Sequence, residues 1–508
     1  MKRLLNFKLI LILVMAISGC TPAREPAQSA APMGWPTAGW RTGAPEEQGI
    51  DSAKLTEGLL AIRQRGLNLH SLLIVRNGVM VLDAYFYPYD GKTVHEQASV
   101  TKSIMTTLIG IAADQGKLKL DDPMLSFFPD RAIANRDAAK ERITVRHLAS
   151  MSSGLDCTSA NDEQTLNEME ESKNFVQFAL DRKMRSEAGT QFVYCSPGMH
   201  LLSPILQKAT GMTALEFARQ NLFQPLGIQD VIWPTDAQGF NHGWSSIRLH
   251  PHDTAKIGFL WLNHGQWEGK QVVSRAWVEE SVKTQIQTGR DDDYGYGWWI
   301  TGKEGEYAAI GRGGQRIQVW PGINTILVMT GGGVDIDDIE PLMVPAFADL
   351  SKPLPADASG IAKLESALKA ISQPPAPKPV SPLPAIAKEV SGKTFVFEPN
   401  PLEIETLSLE FPGTAEAVLI LKHSDGETTS WPVGLDGVYR MSAGEYGLPQ
   451  GVRGEWVDDQ TFAFEYDNIA NNDHILLRAR FASDRLVIES HETAHELGVR
   501  IEGRVLNR

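Results

Sequence analysis

Between Ser71 and Tyr85 the chain reads SLLIVRNGVMVLDAY, two β-rich apolar runs around Asn77-Gly78. That dipeptide between alternating hydrophobic runs predicts a two-residue hairpin. The period then changes: Val100, Ile104, Leu108 and Ile111 recur at steps of four, four and three. Those steps mark one buried face of a helix that starts near Ser99. From Asp121 to Gly227 the pattern is mostly helical or loop-like, punctuated by Gly and Pro. It returns to strand between Tyr294 and Met329, in YGYGWWI, GGQRIQVW and NTILVMT. Strands at both ends with helices between them predict an α+β domain whose antiparallel sheet is built from both ends of the segment.

Composition shifts after residue 350. The run Pro374-Pro375-Ala376-Pro377-Lys378-Pro379 suits neither a helix nor a sheet interior, so 351–388 reads as an extended linker with a short helix over Ile361–Ile371. From about 389 to 508, short alternating runs recur (KTFVFE, IETLSLEF, AVLILKH, TFAFEY, HILLRARF, RLVIES, GVRIEG). They predict an all-β barrel or sandwich. At the other end stand Lys2, Arg3 and Lys8, the apolar run Leu9–Ile17, and Ser18-Gly19-Cys20. This resembles a bacterial lipoprotein signal: 1–19 cleaved, Cys20 lipidated, 20–36 a tether, and 37–350 the first folded domain. The expectation is an exported protein anchored to a cell-envelope membrane only through its N-terminal lipid. The balance of 48 basic against 62 acidic residues, net −14, argues against a nucleic-acid partner.

Ser99-Val100-Thr101-Lys102 carries the chemistry. On a helix, i and i+3 side chains are neighbours, so Lys102 can reach the Ser99 hydroxyl. A serine is a weak nucleophile until a base takes its proton, and a desolvated lysine can serve as that base or relay. The helix N-terminus adds N–H groups where an oxyanion would form. The spacing alone is common: Ser366-Ala367-Leu368-Lys369 repeats it in an Ala- and Pro-rich stretch. Three further stretches set Ser99 apart, namely Thr144 to Leu155 (TVRHLASMSSGL), Tyr194-Cys195-Ser196, and Gly311-Arg312-Gly313-Gly314-Gln315. In this order and spacing they resemble the superfamily of class C β-lactamases, D,D-peptidases and esterases, most of all its esterase and 6-aminohexanoate-oligomer hydrolase branch. Phe223 to Gly227 (FQPLG) and Asp253 to Gly258 (DTAKIG) add to the likeness, which covers roughly Gly43 to Asp349.

The resemblance implies that Ser99 is the nucleophile, Lys102 its activating partner and Tyr194 the general base and acid. It implies that Gln315 supplies, with Ser99, the two N–H groups of an oxyanion hole, beside Gly313 and Gly314. The family's Tyr-x-Asn is Tyr194-Cys195-Ser196 here, so Ser196 replaces only part of the amide's hydrogen bonding. Its Lys-Thr-Gly is Arg312-Gly313-Gly314. Arg312 reads two ways: a reader of substrate carboxylates, or a surface arginine in a Gly-rich turn. The family places the segments of Cys157 and Cys195 at the rim of the site, which leaves a disulfide or two buried thiols as alternatives. The implied activity is hydrolysis of an ester, amide or peptide bond in a small substrate through an acyl-enzyme, with no metal or organic cofactor. D,D-carboxypeptidase or weak β-lactamase activity is the alternative, and a non-catalytic wall-binding lipoprotein the alternative of another class. His491-Glu492-Thr493-Ala494-His495 matches a zinc-protease pattern, but it lies between strand-like runs where that site needs a helix, so it reads as a loop. Tyr466-Asp467-Asn468 reads as a decoy of the tyrosine motif.

Overall fold

Alternation, Gly-rich turns and apolar helix faces resolve into two packed bodies of secondary structure in a computed structural model that describes residues 34–157, 164–302, 305–347, 349–413, 415–493 and 497–506. The N-terminal segment with Cys20 lies outside the described residues, as does His495.

The first body is a seven-stranded antiparallel sheet. Its strands are β1 (Leu69–Arg76), β2 (Val79–Tyr85), β3 (Asp293–Tyr294), β4 (Trp299–Ile300), β5 (Tyr307–Gly311), β6 (Gln315–Trp320) and β7 (Thr325–Gly331). Their order is β2-β1-β7-β6-β5-β4-β3, so strands from the two ends of the domain meet where β1 pairs with β7. Asn77 and Gly78, at φ 52° and 75°, form the two-residue turn that pairs Arg76 with Val79. On one face lies α2 (Val100–Asp114), whose residues Val100 to Ala112 are all buried. Each large aliphatic side chain buried there contributes ~1.5–3 kcal/mol relative to exposure. Gly110 lets the helix backbone close on the Trp277 indole, which a Cβ at that position would meet at 2.3 Å. The helix α3 (Pro251–Leu262) joins the same core through Ile257, Phe259 and Leu260. The other face is covered by α1 (Ser52–Gln64) and α4 (Ala358–Ile371), with Leu55, Leu59, Ile62, Leu364 and Ile371 in one cluster.

The second body is a closed barrel rather than a sandwich. Its strands are β8 (Thr394–Phe397), β9 (Ile404–Glu410), β10 (Glu416–His423), β11 (Thr428–Gly434), β12 (Arg440–Ala443), β13 (Pro449–Trp456), β14 (Thr461–Asp467), β15 (His474–Phe481), β16 (Arg485–Glu492) and β17 (Leu497–Val505). They run in the order β11-β10-β9-β8-β17-β16-β15-β14-β13-β12. A parallel pairing of Gly434 with Arg453 joins β11 to β13, which closes nine strands into a ring and leaves β12 outside on β13. Phe395, Leu407, Leu419, Phe462, Leu486 and Ile488 alternate inward to fill it.

Candidate active site

The N-terminus of α2 is the centre of the site. Ala98, just before the nucleophile, sits at φ 43°, in the left-handed region that costs an L-residue of order ~1 kcal/mol. Its carbonyl accepts from the Thr101 amide at 3.1 Å and the Thr101 hydroxyl at 2.7 Å. This sharp entry leaves Ser99 half-buried at the helix start. Lys102 is 1% exposed. Its Nζ lies 2.7 Å from Ser99 Oγ and donates to the Trp244 carbonyl at 2.8 Å. The same Nζ lies 4.8 Å from the centre of the Tyr194 ring, so serine, lysine and tyrosine meet in one place. Tyr194 stacks on Trp299, with ring centres 6.1 Å apart and planes 20° off parallel. Trp244 and Trp298 are fully buried, whereas Trp299 is half-buried beside the tyrosine.

Trp244 O is itself held in place. His200 and Asp236, both buried, meet at 3.1 Å, and Gly243 N donates to His200 Nδ1 at 3.4 Å. Burial pushes the His200 imidazole below its ordinary range, with Asp236 opposing. A neutral ring accepting at Nδ1 and donating at Nε2 fits both contacts.

Where β5 ends at Gly311, the sheet closes on Ser99. A Cβ on Gly311 would stand 3.0 Å from Ser99 N and 2.7 Å from the Gln97 carbonyl, so only glycine permits this approach of strand to helix. The Gln315 side chain is buried and turned back into the fold, donating to the carbonyls of Gly331 at 2.6 Å and Arg312 at 3.1 Å. Gly313 and Gly314 make the turn at φ 77° and 99°. Arg312 does not stand as a bare cation: its Nε donates to Asn472 Oδ1 at 2.8 Å, and its guanidinium lies 3.5 Å from Asp473. Both partners belong to the barrel. Ser196 is buried at the start of the helix Ser196–His200, and Cys195 is joined to Cys157 by a disulfide. His491 and Glu492 stand on the strand β16, neither on a helix nor in the loop the sequence suggested, because the alternation of RLVIES continues through them.

Ala98, Glu96 and Asn472 were not singled out by the sequence. A backbone at positive φ on alanine and a contact across 160 residues carry no local signature.

The Beta-lactamase family model matches residues 56–333, and the chain belongs to that family as a serine hydrolase of the β-lactamase and esterase superfamily. It is 23% identical over 291 residues to the 6-aminohexanoate-dimer hydrolase of Paenarthrobacter ureafaciens, covering 53% of this chain and 73% of that protein. It is 29% identical over 160 residues to penicillin-binding protein 4 of Amycolatopsis lactamdurans, covering 30% of this chain and 40% of that one. Among solved structures, EstCE1, a hydrolase with promiscuous acyltransferase activity, superposes with a TM-score of 0.50 at 15% identity, over 58% of this chain and 99% of its own.

Proposed function

We propose that the protein hydrolyses an ester or amide bond of a small substrate through an acyl-enzyme on Ser99. The observation that carries this reading is the 2.7 Å contact between Ser99 Oγ and the buried Lys102 Nζ, beside the Tyr194 ring. Ser99 Oγ attacks the carbonyl carbon while its proton passes to the Lys102–Tyr194 pair. The carbonyl becomes an oxyanion at the α2 N-terminus, where the Ser99 amide and the neighbouring β5 backbone lie. The proton then goes to the leaving alcohol or amine as its bond to carbon breaks. Water attacks the acyl-enzyme by the reverse relay and frees the acid.

The engagement of Arg312 by Asn472 and Asp473 supports a neutral acyl substrate over one recognised by a free carboxylate. Export and anchoring through Cys20 belong to the same reading. The Cys157–Cys195 disulfide supports it, since such bonds persist in oxidising compartments. The test is a panel of p-nitrophenyl esters, 6-aminohexanoate dimer, D-Ala-D-Ala peptides and nitrocefin, each with Ser99→Ala as control. Ester or amide turnover lost in Ser99→Ala is the expected result. Turnover that survives the substitution overturns the reading.

A further inference from the structure

A barrel loop reaches the segment that leads into Ser99. Between β14 and β15, residues 468–473 run against the strand that leads into Ser99, and the Ala470 carbonyl accepts from Glu96 N at 2.9 Å. Asn472 is 1% exposed and both ends of its amide are used. Nδ2 donates to Glu96 Oε2 at 2.6 Å, and Oδ1 accepts from Arg312 Nε at 2.8 Å. The amide therefore stands between a buried carboxylate and a guanidinium, each paired with the end it requires.

Glu96 passes that placement on. Its other oxygen accepts from Ser246 N at 3.0 Å and Ser245 Oγ at 3.3 Å. Those serines follow Trp244, whose carbonyl holds Lys102 Nζ, and Gln97 N donates to Ile247 O at 2.9 Å. One carboxylate thus ties the strand entering Ser99 to the segment that fixes Lys102. The charged groups facing it are Arg312 from the β5–β6 turn, Arg248 from the segment beside Glu96, and Asp473 from the barrel loop. Arg248 is in turn held by the barrel, through Glu445 at 3.2 Å and the face of Tyr446 at 4.6 Å.

We propose that Asn472 is a positioning residue of the hydrolase: the barrel supplies the amide that sets Glu96 and, through it, the Ser99–Lys102 geometry. This rests on the reading of Ser99 and Lys102 given above. The reacting atoms never touch Asn472, so its effect falls on kcat. Misplacement of a catalytic group by ~1 Å costs up to ~10²-fold.

The test measures kcat, KM and their pH dependence in the full chain with a neutral p-nitrophenyl ester, for wild type, Asn472→Ala, Asn472→Asp, Thr493→Val and Ser99→Ala. Thr493 marks a barrel contact away from Glu96, its hydroxyl donating to the Gly332 carbonyl at 3.0 Å. Asn472→Ala should lower kcat about tenfold or more with KM little changed. The isosteric Asn472→Asp places a second carboxylate against Glu96, and two carboxylates sharing a site hold one proton between them. Its kcat relative to wild type should therefore recover as pH falls from about 8 to about 5.5, and this variant decides the matter if the alanine variant does not fold. Wild-type kcat in both Asn472 variants, or an equal loss in Thr493→Val, overturns the proposal. Turnover that persists in Ser99→Ala overturns the Ser99 reading and this proposal with it. A dead Ser99→Ala beside wild-type Asn472 variants overturns this proposal alone.

Discussion

The chain sets Ser-x-x-Lys on a helix twice, and the two copies differ in everything except spacing. Ser99 and Lys102 sit where α2 enters the core, with Lys102 1% exposed and hydrogen-bonded to both Ser99 and the Trp244 carbonyl. Ser366 and Lys369 lie on the solvent side of α4, whose opposite face packs through Leu364, Ala367 and Ile371. A second pair repeats the lesson. Tyr194 stands beside Lys102, whereas Tyr466 stacks on Trp431 and donates to Gln450 Oε1 at 3.0 Å within the barrel. Helical spacing supplies proximity; desolvation and fixed acceptors come from the tertiary fold.

The largest expected effect separates the two serines. Ser99→Ala should abolish turnover with its melting temperature nearly unchanged, and Ser366→Ala should leave kcat at the wild-type value. Next, Lys102→Ala and Tyr194→Phe should each lower kcat at least ~10²-fold, the scale of a positioned acid or base. Lys369→Ala and Tyr466→Phe should not move it in the same assay. Comparable losses in both members of a matched pair would erase the difference between the two sites.

A smaller effect concerns the strained entry to Ser99. Ala98→Val puts a β-branched side chain at φ 43° and should destabilise the fold by ~1–3 kcal/mol, read by urea unfolding. Val100→Ala offers a cavity control within the same turn.

A separate effect, read in stability and not in turnover, is a pH dependence in the decoy motif. Burial pushes the Asp467 carboxyl up to about 7, with His474 opposing. The folded state then binds that proton more tightly than the unfolded chain, so stability falls as pH rises from the ordinary carboxylate value of 3.8 through about 7. Asp467→Asn should be more stable than wild type at pH 8 by a margin that shrinks toward pH 4, measured by thermal melts across that window. A constant margin would remove Asp467 as the cause.

What the sequence made legible follows the range of each interaction. The Asn77-Gly78 hairpin, the α2 face and the Ser99–Lys102 contact depend on neighbours within a few residues, and each reads directly from local pattern. The alternation after residue 389 marks strands, but barrel closure rests on Gly434 meeting Arg453, a pairing that period two does not encode. The turn after β5 shows the same limit at finer scale. Gly311 and Gln315 both stand in the motif, but only the fold shows the Gln315 side chain satisfying Gly331 and Arg312 and the Gly311 backbone closing on Ser99 N. From sequence, Arg312 stands either as a reader of substrate carboxylates or as a surface arginine in a Gly-rich turn. Its partner Asn472 lies 160 residues away, a contact that no local pattern encodes.

The buried Lys102 contact should make Ser99 the reactive serine of this chain. Treatment of the full-length protein with a fluorophosphonate probe, followed by peptide mass spectrometry, measures that reactivity without assuming a substrate. One adduct is expected, on the peptide that carries Ser99, absent in Ser99→Ala and formed at least ~10²-fold more slowly in Lys102→Ala. An adduct on Ser366 or another serine, or labelling of Ser99 at an unchanged rate without Lys102, would contradict it.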